Sequence, residues 1–512
     1  MVDQYILAHD AGTTGDKAVL LKQDGTLVES AYTPYPLRYP RAEWVVQDPE
    51  KIWEAVAKSG REVIARAGIE PAAIAGVAIT AQMFNLLPVD RDIKPLIPMI
   101  SWLDRRTTTQ AEAIKASGYT DLLFRETGNV PSAKDIVPKI LWFKENYPGR
   151  WKKAYKILDC KEYLIFQLTG KVAIDWHGAS VYFLFDPVKK LWSSAACQVL
   201  GIPEELLPDV HAPQKIIGGI TSSAARATGL REGTPVVLGL GDVGAAQVGS
   251  GAIGAEEAHL CLGTASWVGL SSSRFITDQE KAFWALNHVE PDRWVIAGEM
   301  ETGGGSLMWF RDNFCQVDSK QEGERLSYRE ISRMASAIVP GSDKLLFMPW
   351  LSGERTIMDH FARAGFVGLS LNHGREHMAR SVMEGVAFYL RWIIEELGNK
   401  DLPIEMMNTI GGGSTSPVWT QIIADVTGKK LKIVENTQEV GAIGAALTAA
   451  TGLGLYSRLE EAAAQWISYS QVVKPQWHIK EAVYDSLFQE FKGIGNSLTP
   501  VYRRMNRNRG GI

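Results

Sequence analysis

One strand–turn–strand pattern occurs twice in the chain, and it limits the possible fold more than any other feature. The first copy has an apolar run at 5–10, a glycine–threonine turn and a returning apolar run at 17–21. The second copy places a similar turn between apolar runs at 259–262 and 267–270. Such runs around glycine-rich turns are typical of hairpins. The repetition favours an internal duplication over two unrelated α/β domains that share an outline.

Each hairpin is followed later by a helix and a strand. Apolar residues at helical spacing predict helices over 49–67 and 375–397, and short apolar runs predict strands at 76–80 and 406–410. A last amphipathic segment predicts a helix over 483–505. The two halves therefore share the same order of elements, as a duplication requires.

The length of 512 residues is too great for one ordinary hydrophobic core. We therefore predict two similar α/β domains, at 1–250 and 251–485, and a helical tail at 486–512. The first domain carries the first turn, and the second domain carries the second.

The composition excludes several classes of protein. Charged residues make up 22%, hydrophobic residues 46%, and the formal net charge is −4, so no basic excess indicates a nucleic-acid or membrane partner. The sequence does not start with a basic segment followed by an apolar one, so we expect no signal peptide. It contains no run of about 18 apolar residues, so we expect no membrane span. The cysteines are far apart, which excludes a zinc ribbon and predicts a cytoplasmic protein; they are Cys160, Cys197, Cys261 and Cys315. The composition leaves a homodimer open.

The two turns have the composition of a phosphate-binding site. Glycine lets backbone N–H groups converge on an anion, and threonine adds a hydroxyl donor. Asp10 beside the first turn would repel phosphate unless a cation lay between them, so it is predicted to hold Mg²⁺. The alternative is that both turns are ordinary hairpin connections. The predicted phosphate-binding residues are Gly12, Thr13, Thr14, Lys17, Gly263 and Thr264.

A third glycine cluster follows the predicted strand at 406–410. It consists of Gly411, Gly412, Gly413 and Ser414, and it precedes a predicted helix that begins at Pro417. A corner without side chains leaves room for a base or a phosphate near a helix N-terminus. The spacing fits neither the P-loop nor the dinucleotide-binding fingerprint.

One carboxylate lies at the predicted domain junction. A buried apolar run at 236–240 leads into Gly241, Asp242 and Gly244. An aspartate in this setting is usually a turn or helix-cap residue. Its place between the two halves makes Asp242 a candidate catalytic group.

Taken together, these residues resemble the FGGY family of carbohydrate kinases. The turn at 10–14 is similar to the first phosphate motif of the family, the turn at Gly263 to the second, and 411–414 to the adenosine motif. The second family signature fits throughout 364–384. The first signature fits at 139–146 but departs from the family at Ile136.

The resemblance implies a ribonuclease H-like fold of the actin/hexokinase type, in which two similar α/β domains flank a catalytic cleft. It also implies that the first domain binds the sugar, that the second domain binds ATP as the phosphoryl donor, and that Asp242 is the catalytic base. The stretch at 349–356 is most similar to the pentulose kinases, xylulokinase above all, and 161–170 agrees with this.

The sugar-contacting residues depart from that subgroup. Phe84 replaces the xylulokinase histidine, and Val243 replaces an asparagine or glutamine. Loss of a hydrogen bond to a buried hydroxyl costs roughly 1–3 kcal/mol, enough to change substrate preference. Trp102 is expected to stack on the carbon skeleton, although core packing is the alternative for this residue. The full set of predicted substrate-binding residues is Gln82, Met83, Phe84, Trp102, Asp104 and Asp242.

The sequence thus predicts ATP- and Mg²⁺-dependent phosphorylation of a small sugar hydroxyl, with a pentulose such as D-xylulose as the acceptor. The alternatives are an FGGY kinase for gluconate, ribulose, a tetritol or a modified sugar. A more distant alternative is an actin- or Hsp70-like ATPase, but no separate partner-binding module is visible. A catalytically inactive sugar sensor is disfavoured because Asp10 and Asp242 are both present.

Overall fold

Each glycine–threonine turn joins the first two strands of a large β-sheet. The computed structural model describes residues 4–41, 43–280, 282–316, 325–358 and 360–506. Within these ranges, none of the helices combines the length and the apolar character needed to cross a membrane.

The first sheet has six strands in the order β5-β6-β4-β1-β2-β3. They are β1 (Tyr5–Ala11), β2 (Gly15–Lys22), β3 (Leu27–Pro34), β4 (Ile74–Ala81), β5 (Ile216–Gly219) and β6 (Pro235–Val237). β1 pairs antiparallel with β2 and parallel with β4, with Ala8 opposite Val19 and Ala78. β6 is parallel to β4, and the edge strand β5 is antiparallel to β6.

The second sheet has seven strands in the order β9-β10-β8-β7-β11-β12-β13. They are β7 (Ala258–Leu262), β8 (Ser266–Ser272), β9 (Trp284–Asn287), β10 (Trp294–Met300), β11 (Met406–Ile410), β12 (Lys430–Val434) and β13 (Tyr469–Val473). β7 pairs antiparallel with β8 and parallel with β11. β12 is parallel to β11, and the edge strand β13 is antiparallel to β12.

The two sheets have the same spatial arrangement of strand directions, with β9 as an addition to the second sheet. They differ in chain order at one edge, because β5 precedes its neighbour β6 whereas β13 follows its neighbour β12. Two similar sheets are therefore observed, as the repeated pattern predicts, and the α/β fold with two similar domains is the actin/hexokinase type.

Ten helices pack around the two sheets and are used below to describe the site. They are α1 (Pro49–Ala67), α2 (Ile136–Asn146), α3 (Cys160–Thr169), α4 (Trp176–Ser180), α5 (Asp242–Gly249), α6 (Gly303–Phe314), α7 (Arg375–Gly398), α8 (Pro417–Thr427), α9 (Val440–Gly452) and α10 (Asp485–Asn506). Further helices occupy Thr108–Ala116, Thr120–Thr127, Pro148–Trp151, Ser194–Leu200, Ser222–Thr228, Tyr328–Ser336 and Leu459–Trp466.

Local signals place the helix ends where the sequence predicts them. Asp48 caps the N-terminus of α1, and Gly68 ends the helix in the left-handed conformation. Ser416 caps α8 by accepting a hydrogen bond from the Trp419 N–H. The predicted final helix is observed as α10, and its Phe488 and Phe491 are buried in the second-domain core. Residues 507–512 of the predicted tail lie outside the described residues.

The two domains are joined where α5 crosses α9. A side chain added at Gly444 of α9 would collide with the Ala245 carbonyl of α5, and one added at Gly249 of α5 would collide with the Val440 carbonyl. A side chain added at Gly441, also on α9, would collide with the carboxylate of Asp10 on β1. Small residues therefore allow the two helix backbones to touch beside the first turn.

We predict that Gly444→Ala destabilises the protein by about 1–3 kcal/mol, because the methyl group must displace the α5 backbone. The melting temperature in differential scanning calorimetry measures this loss. Gly493→Ala on α10 is the matched control, since no atom lies within 4 Å of its added methyl group. Equal melting temperatures for both variants would contradict the close crossing.

Candidate active site

Asp242 is the first residue of α5 and lies where the first-domain sheet meets that helix. Gly241 forms an isolated parallel bridge with Ala81, so the end of β4 fixes the position of its neighbour. The Asp242 Oδ1 accepts a hydrogen bond from the Val243 N–H at 2.9 Å. Burial, with a contribution from the charge of Asp10, raises the pKa of Asp242 to about 7. A carboxylate with this pKa can accept a proton near neutral pH.

Asp10 lies on β1 beside the first turn, with Lys17 opposite it in β2. Burial and the charge of Asp16 raise the pKa of Asp10 to about 6, while Lys17 opposes the shift. The two carboxylates of Asp10 and Asp242 therefore come from different elements, and the charge of Asp10 is close enough to disfavour the charged form of Asp242. A cation between them would relieve this repulsion.

His177, which the sequence analysis missed, fixes the start of α5. Its Nε2 accepts a hydrogen bond from the Gly244 N–H at 3.0 Å, and its Nδ1 donates to the Asn287 carbonyl at 2.6 Å. Burial lowers the pKa of His177, in agreement with a neutral ring that donates on one side and accepts on the other. The imidazole thus connects the helix of Asp242 to β9 of the second domain.

The first turn retains open space around Gly12, where an added Cβ would meet only the Gly15 carbonyl, at 3.6 Å. The Thr13 hydroxyl accepts a hydrogen bond from Trp102 Nε1 at 2.9 Å, and the Thr14 hydroxyl is 3.2 Å from the Tyr32 hydroxyl. The turn is therefore in direct contact with the predicted stacking residue. A phosphate-binding turn and an acceptor site would share this boundary.

Lys17 does not lie over the turn. Its Nζ donates to the Gln438 carbonyl at 2.7 Å and lies 3.6 Å from Glu439, just before α9. The predicted phosphate contact from Lys17 therefore needs these interdomain bonds to break.

The second turn packs against three consecutive glycines at the start of α6. The Gly304 N–H donates to the Gly263 carbonyl at 2.7 Å, and the Gly305 N–H donates to the Thr264 carbonyl at 2.9 Å. Side chains at 303–305 would collide with, or press on, the turn. The sequence run Gly303-Gly304-Gly305 was the signal for this contact, and the sequence analysis did not use it.

The third glycine cluster forms the predicted corner between β11 and α8. Gly411 has φ +89°, and no atom lies within 4 Å of a Cβ added at Gly412. The Ser414 hydroxyl donates to the Gly411 carbonyl at 2.7 Å, so it stabilises the corner itself. Gly413 packs against Leu262, next to the second turn. The open surface over Gly412 fits the approach of a flat base or a ribose.

Phe84 lies on the predicted acceptor side in an unusual backbone conformation, with φ +64°. Its carbonyl accepts a hydrogen bond from Lys139 Nζ at 2.7 Å, and the same ammonium donates to the Lys134 carbonyl at 2.6 Å. Burial lowers the pKa of Lys139 to about 7. Lys139 on α2 therefore connects the two loops that carry Phe84 and Lys134.

Asn85 holds the same segment from the other side. Its amide donates to Asp159 Oδ1 at 2.7 Å, and its carbonyl oxygen accepts from the Trp102 N–H at 3.0 Å. Gln82 is buried; its Nε2 donates to Gln47 Oε1 at 2.8 Å, whereas its Oε1 has no hydrogen-bond partner among the described residues. Met83 and Phe84 belong to an apolar cluster against which Trp102 and Val243 pack.

Asp104 is fully buried and its oxygens are already used. Arg106 donates to both oxygens, from Nε at 2.9 Å and from Nη2 at 2.6 Å, and the Val45 N–H donates at 2.6 Å. The Arg106 N–H adds a fourth bond at 3.0 Å. Four bonds fill the acceptor capacity of a carboxylate. The predicted bond from Asp104 to a substrate hydroxyl therefore needs Arg106 to move.

Buried ion pairs connect the domains on this side. Lys134 Nζ lies 2.7 Å from Glu301 Oε2, and Arg355 Nε lies 2.9 Å from Glu301 Oε1. These two cations lower the pKa of Glu301 to about 2 against the effect of its burial. The ion pairs therefore bring the first-domain loop at 132–135 against the second domain.

No group of three or more His, Cys, Asp or Glu side chains able to hold a metal ion occurs in the part of the chain that the structure describes. Magnesium in kinases commonly uses one or two carboxylates, with phosphate and water as its other ligands. Asp10 and Asp242, two half-buried carboxylates with raised pKa values, fit that requirement.

Comparison with known proteins identifies the family. The model of the N-terminal domain of the FGGY family of carbohydrate kinases matches residues 5–249, and that of the C-terminal domain matches 258–453. The chain therefore belongs to the FGGY family and is a carbohydrate kinase, which confirms the resemblance seen in the sequence.

Relatives with different acceptors are similarly close. Xylulose kinase of Bacillus subtilis (strain 168) is 29% identical over 492 residues, which covers 96% of each chain. Glycerol kinase of Thermococcus gammatolerans is 28% identical over 473 residues, covering 91% of this chain and 92% of that one.

Among solved structures, gluconate kinase from Lactobacillus acidophilus has a TM-score of 0.90 and 27% identity. Ligand-bound xylulose kinase from the same species has a TM-score of 0.90 and 26% identity. Each similarity covers 98% of this chain and 100% of the other. The family and fold are therefore established, whereas the sugar is not.

We predict that His177→Leu lowers kcat about tenfold and leaves the nucleotide Kd unchanged, because α5 loses a hydrogen bond at its start. Small displacements of a catalytic group have effects of this size or larger. His177→Gln, whose amide can both donate and accept, should recover part of the loss. The control is His211→Leu, at a half-exposed histidine. Full activity of His177→Leu in steady-state assays would contradict the positioning role.

Proposed function

We propose that the protein transfers the γ-phosphoryl group of ATP to a hydroxyl of a small sugar, with a pentulose such as D-xylulose as the acceptor. The observation that carries this proposal is the pair of half-buried carboxylates, Asp10 and Asp242, near two nucleotide-type turns. Asp242, with a pKa of about 7, is suited to accept the proton of the attacking hydroxyl. The xylulose kinase relatives support the choice of acceptor.

The nucleotide would lie mainly against the second domain. Gly411, Gly412 and Gly413 leave room for the adenosine, and the turns at 12–14 and 263–264 present N–H groups to the phosphates. Bound ATP and Mg²⁺ supply the transferable phosphoryl group and the neutralisation of its charge. Asp10 would hold the cation, and the cleft would exclude water from the reacting hydroxyl.

The acceptor would contact the first domain at Gln82, Met83, Phe84 and Trp102, with Asp242 beneath its reactive hydroxyl. The Gln82 Oε1, which accepts no hydrogen bond from any described residue, is available to a sugar hydroxyl. Asp104 would contribute mainly by fixing Arg106 and the Trp102 loop.

We place the domain boundary near residue 250, between α5 and β7. Four buried cysteines without disulfide bonds support a cytoplasmic location.

A kinase for another acceptor is the second candidate, and Phe84 and Val243 favour it. Both are apolar where the related xylulokinases are expected to contact hydroxyls. The gluconate and glycerol kinases among the similar proteins show that the fold accepts other substrates. Coupled assays with ATP–Mg²⁺ across pentuloses, hexonates and polyols test both candidates, and an ATPase without acceptor dependence would contradict both.

We predict that Asp242→Asn lowers kcat by roughly 10²–10⁴-fold, the range usual for loss of a general base. The nucleotide Kd from calorimetry should stay the same, because ATP would lie mainly on the second domain. Asp92→Asn, at an exposed aspartate, controls for the change in charge. Near-normal turnover of Asp242→Asn would remove this residue from the mechanism.

We predict that Gly412→Val weakens ATP binding at least tenfold while the fold is retained, because the branched side chain occupies space that is empty in the structure. Sugar affinity measured without nucleotide should hardly change. Gly149→Val, also in open space but away from the cleft, is the matched control. An unchanged nucleotide Kd for a folded Gly412→Val protein would mean that these glycines serve packing alone.

We predict that Phe84→His raises kcat/KM for D-xylulose about tenfold, the effect of one restored hydrogen bond. The ring of Phe84 now packs 5.4 Å from that of Trp284 and 6.2 Å from that of Phe183. Phe84→Leu removes the ring without adding a polar atom and should give no gain. If the wild-type protein already uses xylulose efficiently and Phe84→His gains no activity, the apolar side chain of Phe84 does not set the substrate specificity.

A further inference from the structure

A cavity of about 790 Å³ lies between the two domains on the side of the ion pairs, and its wall includes α10. Its size falls within the roughly 300–1,000 Å³ of typical small-molecule sites. Among the described residues, seven cationic side chains and four carboxylates line it. The cations are Arg105, Arg106, Lys115, Lys134, Arg355, Arg363 and Arg503, and the carboxylates are Glu43, Glu112, Glu280 and Glu354.

Arg355 is a buried guanidinium with unused donors. Its side chain is 5% exposed, and its Nε is bonded to Glu301. Its Nη1 and Nη2 have no hydrogen-bond partner among the described residues, although Asp135 lies 3.7 Å from Nη1 and the charges of Glu299, Glu301 and Asp135 raise the pKa of Arg355 against its burial. A buried charge with unmet donors is costly. The planar fork of an arginine matches the two oxygens of a carboxylate or phosphate.

Arg105 lines the same cavity from the first domain. Its side chain is half-buried and makes no ion pair within 4 Å among the described residues. The neighbouring cations are already committed, Arg106 to Asp104 and Lys134 to Glu301. Arg105 and Arg355 are therefore a pair of guanidiniums, one from each domain, with donors left for a ligand.

The cavity borders the proposed acceptor site. The Arg355 guanidinium lies 5.1 Å from the ring centre of Phe84, 5.7 Å from that of Trp102 and 5.6 Å from that of Trp284. A ligand that reaches Trp102 from the Asp242 side can therefore continue toward Arg355. A five-carbon sugar alone would fill only a small part of this space.

We propose that this cavity binds the carboxylate or phosphate oxygens of an acidic sugar derivative, held between Arg105 and Arg355. Two sources share this chemistry. The anion is either the acid group of the acceptor itself, in which case the inference rests on the proposed function, or that of a separate ligand that bridges the domains. Contacts to both domains would favour the closed cleft in either case.

Titration calorimetry of the full-length protein tests the site directly. D-Xylonate and xylitol have the same carbon chain and differ by the carboxylate, and inorganic phosphate is the third probe. We expect xylonate to bind at least tenfold more tightly than xylitol, and Arg105→Gln to remove most of this preference. Arg105→Lys, which keeps the charge but not the fork, should be intermediate. Arg329→Gln, at an exposed arginine outside the cavity, should have no effect.

Equal binding of xylonate and xylitol, or a preference that Arg105→Gln leaves intact in a folded protein, would overturn the proposal. The kinase assay then separates the two sources. Phosphorylation of xylonate with a higher KM in Arg105→Gln identifies the acceptor's own acid group. Binding of xylonate or phosphate without phosphorylation of xylonate, together with a changed KM for a neutral acceptor, identifies a separate ligand.

The two proposals fail separately, because calorimetry reads binding without turnover. Absence of phosphorylation with every acceptor would contradict the proposed function and leave the anion site to be judged by its own titration. An active kinase that binds neither xylonate nor phosphate in the cavity would overturn the anion site alone.

Discussion

The crossing of α5 and α9 is the contact on which the rest of the molecule depends. Gly249 and Gly444 let the two helix backbones touch, and Gly441 lets α9 cover the carboxylate of Asp10. The first residue of α5 is Asp242, so the contact that joins the domains lies beside both carboxylates of the site. A larger side chain at any of these glycines would disturb the domain contact next to the site.

Burial at this junction gives the site its chemistry. Burial and the charge of Asp16 raise the pKa of Asp10 to about 6, and burial and the charge of Asp10 raise the pKa of Asp242 to about 7. Asp10 is suited to bind a cation, and Asp242 is suited to accept a proton. His177 then fixes the start of α5 through neutral hydrogen bonds, which add no further charge to the cleft.

The sequence predicted the parts of the site that depend on local signals. The paired hairpins and the glycine corner at 411–413 follow from short patterns, and the structure has them where they were expected. Contacts between distant segments could not be predicted. Lys17 donates a hydrogen bond across the domain interface, Arg106 donates to both oxygens of Asp104, and Lys139 donates to two loop carbonyls. These contacts join residues that no periodic pattern in the sequence relates.

The central claim is that the two domains together transfer a phosphoryl group from ATP to a sugar hydroxyl. Phosphorus NMR of the protein with ATP–Mg²⁺ and a panel of sugars and sugar acids tests it most directly. The account predicts a new phosphomonoester signal that grows in equal amount with ADP for at least one acceptor. Formation of ADP and inorganic phosphate at the same rate with and without every acceptor, with no ester signal, would contradict it.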